Sequence, residues 1–336
     1  MKNRRILLSK ILSFNQSDKK VRCKMKVILD LDTGIDDAMA LAYTLGRMEM
    51  ELIGVTGTYG NVYTEMGVQN VLNLLAMFDE EDIPVFAGET HALYKETFIR
   101  NAVGAKIHGK NGVGEVEITQ AKRQAESKNA VDFMIESITK YEKDLTMIAT
   151  GPLTNLAKVL QTKPEIKQKI GRVVIMGGAL TVPGNVSPYA EANIAKDPEA
   201  AKLVFESGID VTMVGLDVTQ RSQLTKVDTQ IWRELDTVSG RIYADMVDYY
   251  ISQHTHSNGT ACYLHDPSAA ICALHPEWFT MLPMYMTVVT EGEAAGRTIG
   301  DNTKLRTPNP NVKVCVGVAS GEVEQHLKET FLCLFA

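Results

Sequence analysis

Four carboxylates fall within eight consecutive residues: Asp30, Asp32, Asp36 and Asp37, in the run Val27-Ile28-Leu29-Asp30-Leu31-Asp32-Thr33-Gly34-Ile35-Asp36-Asp37. At contact distance such charges repel one another strongly unless something neutralises them. A hard divalent cation with oxygen ligands suits the group. A competing reading assigns Asp36 and Asp37 to helix capping, where negative charge is favourable. Capping explains one or two acids and leaves the others. The residues before Asp30 read as a buried strand, and Ala38-Met39-Ala40-Leu41-Ala42 reads as a helix. The acids therefore belong at the carboxyl end of a strand, on the turn into a helix, where open α/β sheets bind ligands.

A second group is His265-Asp266-Pro267, followed by an apolar helical stretch at 268–274. Pro267 suits a first helical position, which makes Asp266 a candidate N-cap. The functional reading makes Asp266 a fifth carboxylate at the cation, with His265 beside it as a proton donor. The two readings are compatible, because a capping carboxylate can also ligate.

The elements that must position these groups follow from periodicity. Residues 27–31, 52–56, 145–150, 172–176 and 211–216 read as strands, and 38–45, 64–78, 130–141, 153–160 and 198–207 as helices. Residues 227–252 read as largely helical, and late strands at 285–290 and 312–318 precede a final helix at 322–331. Such alternation predicts βαβ units: an α/β fold with one mainly parallel, doubly wound sheet flanked by helices. Polar runs follow several strands: Tyr59-Gly60-Asn61, then Thr150-Gly151-Pro152-Leu153-Thr154-Asn155, and Gly177-Gly178 leading into the loop 183–193. In a parallel sheet these gather on one rim with the acids, although each alone is an ordinary turn signal.

Composition bounds the rest. The chain has 336 residues, 45% hydrophobic and 23% charged, as expected of a globular protein. No apolar run approaches the roughly 18 residues of a membrane span. The net charge of −6 gives no general attraction to nucleic acid. Residues 1–26 carry nine Lys/Arg and one acid, a net of +8 that leaves −14 for the remainder. Residues 1–25 are read as a dispensable basic extension and 26–336 as the catalytic domain. The five cysteines, Cys23, Cys262, Cys272, Cys315 and Cys333, form no CxxC pair and read as reduced thiols of a cytoplasmic protein. His254 and His256 read as loop residues, since zinc needs three or four ligands.

Taken together, eight separated motifs resemble the nucleoside hydrolases (inosine-uridine preferring nucleoside N-ribohydrolases) over about residues 26–332. They are Asp30 to Asp37; Tyr59-Gly60-Asn61; His108-Gly109-Lys110-Asn111-Gly112; Thr150 to Asn155; Met176-Gly177-Gly178; Gly184-Asn185 through Glu191-Ala192-Asn193; Asp197-Pro198-Glu199-Ala200-Ala201; and His265-Asp266-Pro267. The resemblance implies hydrolysis of a ribonucleoside to ribose and free base, by a homodimer or homotetramer. It implies a Ca2+ ion held by Asp32, Asp37, Asp266 and the Thr150 carbonyl, with Asp32 as general base and Asp30 behind it. Asp36 and Asn193 would bind the ribose 2′-hydroxyl, Asn61 the ribose, and Asn185 and Glu191 the 5′ end. His265 would protonate or orient the leaving base, with His108 nearby. Such a cup of carboxylates suits an oxocarbenium-like transition state.

Three positions depart from the family pattern. Thr33 stands where many members have Pro, Ala192 where many have Phe, and Gln220 where many have His. The last two bear on the preferred base; His108 with His265 resembles the uridine- and inosine-using members. Two rivals remain. A haloacid-dehalogenase-type phosphohydrolase would share Asp30-Leu31-Asp32-Thr33, but Gly34 occupies the position that motif gives to Thr or Val. A catalytically silent nucleoside-binding protein would share the scaffold.

Overall fold

The structure is a computed structural model that describes residues 24–254 and 258–336. Cys23, His256 and nearly all of the basic extension lie outside the described residues. In chain order the strands are β1 (Met25–Leu31), β2 (Met50–Gly57), β3 (Val85–Ala87), β4 (Leu145–Ala149), β5 (Arg172–Met176), β6 (Asp210–Val214), β7 (Gln223–Thr225), β8 (Ala261–Tyr263), β9 (Phe279–Met284), β10 (Met286–Val288), β11 (Thr298–Gly300) and β12 (Val312–Val318). Eight of them form one sheet in the order β3-β2-β1-β4-β5-β6-β12-β9. All neighbours in it are parallel except β12 and β9. The expected α/β fold with a mainly parallel sheet is the observed one.

Helices cover both faces, so the central strands are apolar on both sides. In β1, Val27, Leu29 and Leu31 enter one core and Ile28 the other. Asp30 breaks that pattern while remaining 2% exposed. Two helices matter most for the site. Ile35–Leu45 continues from β1 and is buried from Ile35 to Thr44. Asp266–Leu274 is buried from Asp266 to Ala273 and packs against it. A helix apolar all round belongs in a core, and here it brings Asp266 to Asp36 and Asp37. A third helix, Val238–Gln253, is tied to the first by the Tyr243 hydroxyl, which donates to the Ala38 carbonyl at 2.9 Å.

Three expectations about elements change. The late strand at 285–290 is shorter, Met286–Val288, and pairs with Thr298–Gly300 outside the main sheet. The antiparallel strand at the sheet edge is Phe279–Met284. It contains Pro283, which an edge strand tolerates because no ladder donor is needed on its outer side. The helix after Pro267 begins at Asp266, so the N-cap is His265 and not Asp266. Among the described residues no helix is long and apolar enough to cross a membrane. Cys262, Cys272, Cys315 and Cys333 are free thiols.

Candidate active site

The acids sit where β1 runs into the helix Ile35–Leu45. That helix has Gly34 as its N-cap, and the Gly34 N–H donates to Asp37 Oδ2 at 2.7 Å. Capping thus accounts for Asp37 alone. Gly34 is required by close approach: a Cβ there would lie 2.6 Å from His108 Nδ1 and 2.8 Å from Asn61 Nδ2. Gly60 is required likewise, with φ +155 and a would-be Cβ 1.9 Å from Asp32 Oδ2.

Asp30 lies behind the group, with its Oδ1 paired and its Oδ2 buried without a hydrogen-bond partner. Its Oδ1 accepts from Thr56 Oγ1 at 2.7 Å and Asn155 Nδ2 at 2.8 Å. Burial pushes its pKa up to about 6 against those hydrogen bonds. Asn155 also donates to the Gly57 carbonyl and accepts from the Glu89 N–H. Asn155→Ala strips several buried partners at once and is expected to cost about 1–3 kcal/mol of stability. An unchanged melting temperature would remove this network from the support of Asp30.

Asp36, Asp37 and Asp266 converge. One carboxylate oxygen from each lies within 4.8 Å of the others, and all three residues are buried. Asp37 accepts from Thr150 Oγ1 at 2.6 Å and from Asn61 Nδ2 at 3.3 Å. Asp36 Oδ2 accepts from the Tyr250 hydroxyl at 3.2 Å. Asp36 Oδ1 and Asp266 Oδ2 are buried without a hydrogen-bond partner. Burial, then the charges of neighbouring aspartates, raises the pKa of Asp37 and of Asp266 well above the carboxylate range. Orphaned acceptors on mutually repelling carboxylates fit a hard cation.

Asp32 stands beside this trio rather than in it. Its Oδ2 accepts from the Asn61 N–H at 2.7 Å and from Lys196 Nζ at 2.9 Å; its Oδ1 accepts from Asn61 Nδ2 at 3.0 Å. The Thr150 carbonyl accepts from Asn193 Nδ2 at 2.6 Å. Asp37 and Asp266, of the ligands implied by the resemblance, are therefore in the convergent set, with Asp36 as its third member.

On one side of the group, Asn193 also donates to the Met176 carbonyl. Both Glu191 oxygens are engaged by backbone: Oε1 by the Asn193 N–H, Oε2 by the Gly178 and Ile194 N–H groups. Glu191 thereby caps the short helix Ala192–Lys196, which begins inside the segment read as loop, and burial raises its pKa. Asn185 is exposed and accepts from the Ala192 N–H at 2.9 Å.

On the other side, His108 is 6% exposed and its Nδ1 accepts from the Ile35 N–H at 3.2 Å. Burial pulls its pKa down to about 3, so the ring is neutral, with its hydrogen on Nε2. The 3.7 Å approach of Nδ1 to Asp36 Oδ1 is therefore no ion pair. His108 stacks with Tyr250 at a ring separation of 5.4 Å, and Tyr250 meets His254 at 4.3 Å. His254 faces Tyr263 at 6.2 Å, and Tyr263 faces His265 at 5.8 Å. His265 is half-buried, and its Nδ1 pairs with Thr219 Oγ1 at 2.8 Å. Gln220, one residue on, is the C-cap of the helix Leu216–Thr219.

Lys196 and Tyr250 were not anticipated. Lys196 had a signal, since it lies three residues after Asn193 on one helix and therefore shares its face. Tyr250 carried none beyond a helical aromatic.

With this geometry in view, known proteins place the chain. The family model "Inosine-uridine preferring nucleoside hydrolase" matches residues 27–325. A pyrimidine-specific ribonucleoside hydrolase of Salmonella paratyphi B is 36% identical over 297 residues, covering 88% of this chain and 94% of that protein. Uridine nucleosidase 1 of Arabidopsis thaliana is 37% identical over 287 residues, covering 85% and 84%. The solved structure of a purine-preferring ribonucleoside hydrolase from Gardnerella vaginalis aligns with a TM-score of 0.91 at 47% identity, covering 92% of this chain and 99% of that one. This chain belongs to the inosine-uridine preferring nucleoside hydrolase family and is an N-glycosyl hydrolase of ribonucleosides.

Proposed function

We propose that the chain hydrolyses uridine- and inosine-type ribonucleosides to ribose and free base, with Asp32 as general base and Ca2+ as its metal ion. The observation that carries this reading is the convergence of buried Asp36, Asp37 and Asp266 beside a fixed Asp32. Asp37 and Asp266, with Asp32 and the Thr150 carbonyl, are the residues that would hold the ion. When bound, calcium supplies a hard positive centre that neutralises the acids and acidifies a water, less strongly than zinc would.

The chain's own residues do the rest. Asp32 takes the proton from the attacking water. Its two oxygens, fixed by Asn61 and Lys196, hold it in one orientation. Asp36 and Asn193 bind the 2′-hydroxyl, Asn61 the ribose, and Asn185 and Glu191 the 5′ end. The carboxylates face the positive charge that develops on the sugar as the bond breaks. His265, oriented by Thr219, gives a proton to the departing base, a task suited to an imidazole. Neutral His108 donates a hydrogen bond on the base side without giving up a proton.

The 36%-identical relative is named for pyrimidine specificity and the 47%-identical solved structure for purine preference. Ala192 and Gln220 are the departures from the family pattern that bear on this balance. The test is release of free base from uridine, inosine, cytidine, adenosine and 2′-deoxyuridine. Uridine and inosine should turn over fastest, and 2′-deoxyuridine far more slowly for want of the 2′-hydroxyl contacts. Nucleoside binding without release from any of them would instead indicate a binding protein.

A further inference from the structure

Lys196 reaches the acid group at Asp32. Its Nζ is 2.9 Å from Asp32 Oδ2, 3.4 Å from Asn61 Oδ1 and 3.4 Å from Asn193 Oδ1. Its side chain is 16% exposed and that of Asp32 0%. The lysine reaches this position from the last turn of the helix Ala192–Lys196, whose other end is fixed by Glu191. One ammonium thus faces Asp32, the carboxylate that stands beside the convergent Asp36, Asp37 and Asp266.

We propose that Lys196 is a tethered cation: it holds Asp32 in place in the ion-free protein and, by repulsion, weakens the affinity of the cup for a divalent ion. The proposal rests on the metal reading of the preceding subsection. Buried carboxylates without a counter-charge oppose folding. Lys196 offsets one of those charges before any ion arrives, so Asp32 is oriented in advance. Once an ion enters, ammonium and metal are like charges at short range in a poorly screening site. Lysine suits this task better than arginine, because a point charge on a flexible stem can withdraw without leaving a rigid fork unpaired.

The test is calorimetric titration of Ca2+ into metal-stripped wild type, K196M, K196Q and K196R, with melting of each in ion-free buffer and in calcium. K196M and K196Q are expected to bind calcium at least about tenfold more tightly than wild type, since a nearby positive charge is gone. Their ion-free melting temperature should fall, and calcium should raise it by more than in wild type. K196R, which keeps the charge, should stay near the wild-type affinity. Equal or weaker calcium binding by both neutral variants overturns the proposal. Failure of wild type itself to bind calcium defeats the metal reading. In that case ion-free melting decides the positioning role, and unchanged melting of K196M and K196Q overturns it.

Discussion

Asp32→Asn is expected to lower kcat for uridine by about 10²–10⁴-fold, the range set by loss of a general base, while the protein still melts cooperatively. Asparagine is the informative replacement. Its side-chain oxygen still accepts from the Asn61 N–H and Lys196, which Asp32 Oδ2 now serves. Alanine would leave the Lys196 ammonium without its carboxylate. Breaking a buried pair costs about 3–5 kcal/mol, so lost activity would then be confounded with lost structure. Steady-state kinetics with a thermal melt separates the two. Turnover within a few-fold of wild type would remove Asp32 as the base, and attention would move to Asp36, whose Oδ1 is buried without a partner.

His265→Ala is expected to slow uridine and inosine by about 10²–10⁴-fold and to leave p-nitrophenyl riboside nearly unaffected. The two substrates share a ribose and differ in the leaving group. A purine or pyrimidine anion departs poorly without a proton, whereas nitrophenolate needs none. The two histidines sit in different surroundings. His108 is buried, accepts from Ile35 and has its pKa pulled down to about 3, so it holds no transferable proton at neutral pH. His265 is half-buried and oriented by Thr219. Equal slowing of both substrates would mean that His265 shapes the pocket and is not the donor to the leaving group.

Much of the fold was legible because its strands are buried on both faces and read as short apolar runs. Residues 27–31, 172–176 and 312–318 fall within observed strands for that reason. The edge strand Phe279–Met284 escaped because it alternates irregularly between buried and exposed positions and contains Pro283. The site was legible where several polar residues share a short segment, as in Asp30 to Asp37. It was not legible where one side chain arrives from a distant helix. Tyr250 comes from the helix Val238–Gln253 and bonds to Asp36. Lys196 adjoins a recognisable run beginning at Asp197, yet a lone lysine on a helix is ordinarily a solvated charge. Even the His265-Asp266-Pro267 motif misled by one residue, because Pro is tolerated anywhere in a first helical turn and does not fix which residue caps it.

The most direct test of the account is ribose release from uridine by protein stripped of divalent ions, repeated after calcium is restored. Activity lost on chelation and regained with calcium, together with a rise in melting temperature on calcium addition, is the predicted result. Full turnover by exhaustively chelated protein would contradict it: Asp36, Asp37 and Asp266 would then be a buried acid cluster without a metal role.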